Sequence, residues 1–311
     1  MADHSLHSFL PGGVIPPLVT PLDVSGELDG DSLCNLVRYV IAAGVHGIFV
    51  LGSTGESPAL SDQQRLEVMR TAIRSAAGQV PVLVGILDCS VRHAIEFGRA
   101  AEEAGADALV VVPPFYFVHT QNEILRYFRI LRAALQLPIS AYNAPTATKV
   151  HLAPQTVDAL AQERLIVALK DSSADLSAFR QILLQQRSND QLHILTGRQD
   201  LIDMELFMGA HGMVPGLANE APQLFVRLYE AAQAKRWEEA RAVQESVLPL
   251  LDVRLFSSDR VSRPAAAVGA HKTCLKLLGV IATNTMAAPW DSLGPEAEEG
   301  IAALLREHGI L

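Results

Sequence analysis

Short apolar runs alternate with longer segments of helical period along most of the chain. The runs are apolar throughout and do not alternate with polar residues, which is typical of parallel strands covered on both faces. Eight such runs occur, at residues 14–19, 47–51, 82–85, 108–112, 139–142, 166–170, 193–196 and 212–215. The pattern therefore predicts a parallel sheet of eight strands.

The segments between the runs place apolar residues at helical spacing, and several begin at a capping residue such as Ser61. Examples are residues 61–77, 91–104, 121–135 and 174–186. Alanine–glycine pairs at 43–44 and 104–105 precede the next strand, as expected of helix C-termini. Eight near-equal strand–helix units favour an α/β fold closed into a (β/α)8 TIM barrel, although the sequence alone does not exclude an open doubly wound sheet.

The strand pattern stops after about Ala221, and helical segments follow at 221–234, 237–251 and 263–278. The chain has 311 residues, which is more than the ~250 typical of one such barrel. We therefore expect a catalytic barrel at residues 1–220 and a C-terminal helical region at residues 221–311.

The charge distribution argues against nucleic-acid binding. The formal net charge is −9, and the 25 Lys and Arg residues are scattered, with Lys235–Arg236 as the longest basic run. Residues 1–13 contain no apolar run long enough for a signal peptide or a membrane span. The interpretation is a cytoplasmic protein with no membrane partner.

The residues that commonly bind metals do not form a metal motif. The cysteines are few and far apart, and they form no CxxC pair; they are Cys34, Cys89 and Cys274. His46 and His193 have no partner at the spacing of a metal site and are interpreted as structural, as is His211. We expect no metal and no cofactor.

Lys170 ends the sixth run, and the active site of such a barrel lies at the C-terminal ends of its strands. The chain has only five lysines, at 149, 170, 235, 272 and 276, so a lysine on an apolar strand stands out. Desolvation at that position would favour a neutral amine able to attack a carbonyl. The alternative is a structural ion pair with Asp171, and position alone does not choose between them.

Tyr142 ends the fifth run, where its phenol could transfer a proton or simply pack in the core. Residues 52–57 follow the second run as a glycine-bounded loop, Gly-Ser-Thr-Gly-Glu-Ser, whose backbone N–H groups and hydroxyls suit an anion. No lysine follows its second glycine, which favours a carboxylate over a nucleotide phosphate. Tyr116 follows the fourth run and Asp200 the seventh, and neither is diagnostic by itself.

Taken together, GSTGE at 52–56, YNAP at 142–145 and KD at 170–171 resemble the motifs of the dihydrodipicolinate synthase and N-acetylneuraminate lyase family. The resemblance extends from about Val14 to the C-terminal helices. It implies a (β/α)8 barrel with a helical C-terminal part, a homo-oligomer that is usually a tetramer, and a lysine that condenses with pyruvate.

By this resemblance Lys170 is the Schiff-base residue and Tyr142 the proton-transfer residue. Ser53 and Thr54 would bind the carboxylate of the 2-oxo acid, and Tyr116 matches a tyrosine that a neighbouring subunit lends to the proton relay. The iminium would act as an electron sink, so that the C3–C4 bond can break or form through an enamine.

Two positions depart from the resembled enzymes. Dihydrodipicolinate synthases usually carry an arginine two residues beyond the YNxP proline, where this chain has Ala147, and a methyl group cannot replace a bidentate guanidinium. Sialate lyases carry a serine after the eighth strand, where this chain has Gly216. The segment YNAPTAT at 142–148 is instead similar to archaeal-type 2-keto-3-deoxygluconate aldolases.

The remaining expected substrate contacts suit a polyhydroxylated tail. Asp200 aligns with an acidic residue that contacts sugar hydroxyls in sialate lyases, and Ser172 with a hydroxyl residue of similar use. Gly197 and Val214, near the ends of the seventh and eighth strands, complete the expected substrate-binding set.

The leading hypothesis is a lyase that cleaves or forms a 2-keto-3-deoxy sugar acid from pyruvate, or another 2-oxo acid, and an aldehyde. The alternatives within the fold are a 4-hydroxy-tetrahydrodipicolinate synthase using aspartate semialdehyde and a hydratase-aldolase or dehydratase of a longer 2-oxo acid. A barrel that binds a 2-oxo acid without turnover is a further alternative. It would not need both a nucleophile and a proton relay.

Overall fold

A computed structural model describes residues 11–256 and 261–311 of the chain. The sheet has eight strands, which pair in parallel in the order β1-β8-β7-β6-β5-β4-β3-β2. The strands are β1 (Gly13–Val14), β2 (Ile48–Val50), β3 (Val82–Gly85), β4 (Ala108–Val111), β5 (Ile139–Asn143), β6 (Ala168–Asp171), β7 (His193–Thr196) and β8 (Gly212–Met213).

Closure of the sheet occurs between the first two strands. Pro17 forms a parallel bridge with Phe49, and the Leu18 N–H donates to the Phe49 carbonyl at 2.8 Å. The Phe49 N–H in turn donates to the Pro16 carbonyl at 3.0 Å. This confirms the (β/α)8 barrel. The strand expected over 14–19 is short because Pro16 and Pro17 have no N–H to donate to a neighbouring strand.

Helices follow the strands along the chain, and further helices make up the C-terminal region. They are α1 (Gly30–Ala42), α2 (Asp62–Ala76), α3 (Val91–Ala104), α4 (Gln121–Ala134), α5 (Pro145–Thr148), α6 (Pro154–Gln162), α7 (Leu176–Gln185), α8 (Ile202–Phe207), α9 (Pro222–Gln233), α10 (Trp237–Val247), α11 (Arg263–Leu277) and α12 (Pro295–Glu307). Ser61 caps α2 in a capping box with Gln64, and Gly105 ends α3 at φ 88°.

The C-terminal region is helical, as expected, with two differences in detail. The helix expected over 237–251 ends at Val247 and continues as a 3-10 helix, Leu248–Phe256, since Pro249 lacks the N–H that an α-helix would use. Sequence reasoning named no helix beyond residue 278, where α12 forms with Pro295 in its first turn. The domain boundary at residues 220 and 221 stays a prediction.

Two apolar clusters make up the core. The larger lies between the strands and the helices and extends into the C-terminal region. The smaller fills the barrel interior and is formed by Ile15, Phe49, Leu83, Leu87, Ala108, Val110, Val112, Tyr142, Ala144, Leu195 and Val214. Tyr142 thus projects into the barrel, where the ends of the strands surround it.

Three histidines lie at the opposite end of the barrel, around the N-terminal ends of the strands. The Val14 N–H donates to Nδ1 of His46 at 3.2 Å, and the Ile194 N–H donates to Nδ1 of His211 at 3.0 Å. The rings of His193 and His211 are stacked with centroids 4.4 Å apart. These contacts stabilise the strand ends, in agreement with a structural role.

None of the helices that the structure describes is long and apolar enough to cross a membrane. Across residues 11–256 and 261–311, no three His, Cys, Asp or Glu side chains are grouped so that they could hold a metal ion. The expectation that residues 1–13 contain no signal peptide falls mainly on residues 1–10, which lie outside the described residues.

Candidate active site

The penultimate residues of β5 and β6 bring a phenol and an amine together. Tyr142 pairs with Lys170 in the strand register, and Nζ of Lys170 lies 4.1 Å from the centroid of the Tyr142 ring. The same Nζ lies 5.1 Å from the centroid of Phe49, and Lys170 is only 6% exposed. The amine therefore lies among aromatic rings at the C-terminal end of the barrel, which is the end where barrels of this kind place their active sites.

Asp171 does not neutralise this lysine. Its carboxylate accepts from Nδ2 of Asn143 at 2.7 Å, and from the backbone N–H and hydroxyl of Ser173 at 2.8 and 2.6 Å. Adjacent residues of a strand face opposite sides of the sheet, so Asp171 points away from the interior that holds Lys170. The structural ion pair between Lys170 and Asp171 is therefore wrong, and Asp171 joins the ends of β5 and β6.

The Tyr142 hydroxyl lies in a small cluster of polar side chains within the otherwise apolar interior. Burial by itself would raise the pKa of Tyr142, but the charge of Lys170 and hydrogen bonds with Ser172, Ser53 and Lys170 together lower it. A phenol that is easier to ionise is better suited to accept and return a proton near neutral pH. The alternative of an ordinary core tyrosine does not account for this cluster of polar neighbours.

The loop at residues 52–57 follows β2 and requires its glycines. A Cβ at Gly52 would lie 2.7 Å from the Phe49 ring, and one at Gly55 would lie 3.0 Å from the Leu18 carbonyl oxygen. This close packing sets Ser53 beside Tyr142. Thr54 follows, half-buried, in the same loop.

Glu56 fixes the far side of that loop. It adopts a left-handed conformation with φ 55° and is buried, with Oε1 accepting from the Ala287 N–H at 3.0 Å. Its other oxygen forms an ion pair with Nζ of Lys272 on α11, which also donates to the Thr285 carbonyl at 2.7 Å. Burial lowers the pKa of Lys272, and Glu56 offsets part of that effect. Sequence reasoning gave Lys272 no role, because nothing local marks its partner.

Three of the expected substrate contacts lie around the tyrosine and lysine. A side chain at Gly197 would overlap the Ser172 hydroxyl, so these two residues are in direct contact. The Val214 N–H donates to the Thr196 carbonyl at 2.7 Å, and the Val214 side chain lies in the interior cluster with Tyr142. The structure thus groups Ser172, Gly197 and Val214 at the C-terminal ends of β6, β7 and β8.

Asp200 and Tyr116 differ from Ser172, Gly197 and Val214 in their contacts and exposure. Arg198 forms a two-point ion pair with Asp200, with Nε 2.8 Å from Oδ1, and these hydrogen bonds hold the pKa of Asp200 below its usual value. Tyr116 is 70% exposed, and its ring lies 6.0 Å from Nζ of Lys149. Within a single chain, Tyr116 does not contact the Lys170–Tyr142 pair.

Glu205 on α8 is a buried acid that sequence reasoning missed. Burial is the main reason that its pKa is raised to about 7, and a hydrogen bond with Thr196 opposes the shift. Among the described residues, its Oε2 has no hydrogen-bond partner. A glutamate on a six-residue helix carries no sequence signal for burial, which depends on the packing of α8 against β7.

The sequence is similar to those of known proteins over most of its length. The sequence model of the dihydrodipicolinate synthetase family matches residues 10–308 of this chain. An uncharacterised DapA-like lyase of Halobacterium salinarum is 36% identical over 235 residues, which are 76% of each chain. The 4-hydroxy-tetrahydrodipicolinate synthase of Pseudomonas syringae pv. syringae is 31% identical over 300 residues, covering 96% of this chain and 99% of the relative.

Solved structures agree over nearly the whole chain. The dihydrodipicolinate synthase of Bacteroides thetaiotaomicron superposes with a TM-score of 0.91 at 36% identity, covering 96% of this chain and 99% of that one. YagE, a prophage protein of the dihydrodipicolinic acid synthase family from E. coli K12 solved in complex with pyruvate, has a TM-score of 0.91 at 28% identity. That match covers 97% of this chain and 100% of YagE.

Proposed function

The chain belongs to the dihydrodipicolinate synthetase family, and on this premise we propose that it is a pyruvate-dependent class I aldolase that cleaves or forms a 2-keto-3-deoxy sugar acid. It is a carbon–carbon lyase, as members of this family are. The observation that carries the proposal is the amine of Lys170 lying 4.1 Å from the ring of Tyr142 at the C-terminal end of the barrel.

In the proposed reaction, Lys170 supplies the electron pair for the first step. Nζ attacks C2 of the 2-oxo acid through its lone pair, and the carbonyl oxygen leaves as water with two protons, one from the amine and one from Tyr142, so that an iminium and a Tyr142 phenolate remain. The iminium draws electrons from the C3–C4 bond while Tyr142 takes the proton of the C4 hydroxyl. The aldehyde then departs, and protonation of the enamine at C3 followed by hydrolysis releases pyruvate.

The other residues hold the substrate in place. Ser53 and Thr54, with the N–H groups of their loop, would bind the carboxylate of the 2-oxo acid. The exposed Tyr116 would reach the site of a neighbouring subunit in a homo-oligomer and extend the proton relay from Tyr142. Its exposure in the single chain is consistent with that assignment.

The sugar-acid assignment rests on the polar groups beside the pair. Ser172, in contact with Gly197, and Asp200, held by Arg198, offer hydrogen bonds to hydroxyl groups. Ala147 lies exposed on α5 and offers no charge for a second carboxylate. A neutral hydroxyaldehyde therefore suits this site better than an anionic aldehyde.

Reductive trapping tests the Schiff base. Incubation with pyruvate and borohydride should attach the reduced adduct to Lys170, identified by peptide mass spectrometry, because reduction traps the imine. Lys149, exposed beside Tyr116, is the matched control: Lys149→Arg should retain the adduct and Lys170→Arg should lose it. An adduct on Lys149, or none in the wild type, contradicts the proposal.

The second candidate is a 4-hydroxy-tetrahydrodipicolinate synthase, favoured by the names of relatives at 30 and 31% identity. A lost charge-assisted contact with a carboxylate costs about 1.5 to 3 kcal/mol, or roughly one to two decades in kcat/KM. Aspartate semialdehyde should therefore be a poorer partner than glyceraldehyde, in the wild type and in Lys149→Ala, which removes the nearby lysine. The reverse preference would promote the synthase.

A further inference from the structure

The mouth of the barrel is formed by the C-terminal ends of the strands and the loops that follow them. Two consecutive buried residues of helix α11 contact two different sides of this mouth. Lys272 pairs with Glu56 in the loop that follows β2. His271, the residue before it, contacts Glu220 beyond the end of β8. The C-terminal region therefore contributes side chains to the mouth in addition to packing beside the barrel.

The orientation of the His271 ring is set by Glu220. Nδ1 lies 2.8 and 3.1 Å from the two carboxylate oxygens, and both residues are buried, His271 being 7% exposed. Burial raises the pKa of Glu220, and its contact with His271 opposes that shift. When Glu220 is ionised its oxygens only accept hydrogen bonds, so Nδ1 then carries a proton. Nε2 is then an acceptor in the neutral imidazole and a donor in the imidazolium.

Nε2 of His271 has no hydrogen bond with any residue that the structure describes. It is directed at Gly216, where a Cβ would lie 2.7 Å from Nε2 and 3.6 Å from Nε2 of Gln199. Any larger residue at 216 would displace the imidazole. The absence of a side chain there makes room for a histidine that comes from a distant helix.

This position belongs to the side of the mouth formed by the β7 and β8 loops. Gly216 is two residues beyond Val214, whose side chain lies in the barrel interior with Tyr142. Gln199 ties the two loops together by accepting from the Leu217 N–H at 2.6 Å. Nε2 of His271 thus lies beside the loops that follow β7 and β8 with a hydrogen-bonding capacity that no described residue uses, which a ligand at the C-terminal end of the barrel can satisfy.

We propose that Nε2 of His271 hydrogen-bonds a hydroxyl of the aldehyde-derived part of the substrate and so selects hydroxylated aldehydes. The inference rests on the proposed aldolase function. A hydroxyl can donate to the neutral imidazole or accept from the imidazolium, whereas a carboxylate would be repelled by Glu220 behind the ring when that group is ionised. The His271–Glu220 pair therefore favours a neutral, hydroxylated tail.

The test compares pyruvate condensation with glyceraldehyde and with propanal, which has the same carbon chain without hydroxyls. In His271→Phe, and in Gly216→Ala, where the methyl displaces the ring, the ratio of kcat/KM for glyceraldehyde to that for propanal should fall by about tenfold. His308→Phe, on the half-exposed end of α12, is the matched control and should retain the wild-type ratio.

Borohydride trapping of pyruvate in each variant separates the possible failures. A normal adduct with wild-type kcat/KM for both aldehydes in both variants overturns the role of His271 and leaves the proposed function standing. A normal adduct with equal losses for both aldehydes assigns His271 to packing alone and also overturns the role. No adduct in the wild type overturns the aldolase proposal and the role of His271 together. If His271→Phe does not fold, Gly216→Ala decides.

Discussion

Replacing Lys272 by methionine should destabilise the protein strongly, because it leaves a buried carboxylate without its counter-charge. Lys272 is 0% exposed and Glu56 is 1% exposed, so water cannot replace the missing ammonium without opening the structure. Methionine is close to lysine in length and apolar, so the change removes the charge with little change in packing.

The magnitude follows from the contacts that are lost and kept. Breaking a buried ion pair by removing one partner costs about 3–5 kcal/mol. The Thr285 carbonyl also loses its donor, which had been 2.7 Å away. Oε1 of Glu56 still accepts from the Ala287 N–H at 3.0 Å, so only the other carboxylate oxygen is left without its partner. A total of about 3–5 kcal/mol is a large part of the 5–15 kcal/mol that typically separates folded from unfolded protein.

Urea unfolding at neutral pH measures the difference, with Lys276→Met as the matched control. Lys276 lies one turn away on the same helix, is 35% exposed and pairs with Glu298 at 2.6 Å. A pair of this exposure contributes about 0–1 kcal/mol. Adding Glu56→Gln to Lys272→Met should recover part of the stability, since it removes the unpaired charge. A loss in Lys272→Met no larger than that in Lys276→Met would refute the reasoning.

Two further predictions concern Tyr142 and Glu205. Tyr142→Phe keeps the buried ring but removes the hydroxyl, so turnover should fall by about 100-fold or more while unfolding by urea changes little; wild-type turnover would make Tyr142 a core residue only. The pKa of Glu205 is raised from 4.5 to about 7 in the folded protein. A raised pKa gives stability that is present below pH 4.5 and is lost as the pH rises to about 7, roughly 3 kcal/mol in all. Glu205→Gln should flatten this part of the stability profile, and an equally steep profile in the variant would contradict the assignment.

The sequence by itself determined the strand–helix repeat, and it predicted the two residues on which the proposed function depends. The runs at 82–85 and 193–196 coincide with β3 and β7, and the segment at 91–104 coincides with α3, because barrel strands are buried on both faces and carry a local apolar signal. Lys170 and Tyr142 were candidates because each ends an apolar run, and such barrels place their sites at the ends of the strands.

Contacts between distant parts of the chain were decided only by the tertiary structure. Closure through Pro17 and Phe49 depends on two segments that have no common sequence period. The Asn143–Asp171 hydrogen bond, which leaves Lys170 without its neighbour as an ion-pair partner, depends on the register between β5 and β6. A neighbour in sequence was therefore a poor guide to the partner in space.

The side chains that α11 contributes to the mouth show the same limit most clearly. This helix is buried around much of its circumference, so no one-sided apolar stripe reveals which residues face the barrel. His271 contacts Glu220, and Lys272 contacts Glu56, only when the C-terminal region packs against the loops after β8 and β2. Local periodicity reports whether a residue is buried, but the partners of a buried charge are set by long-range packing.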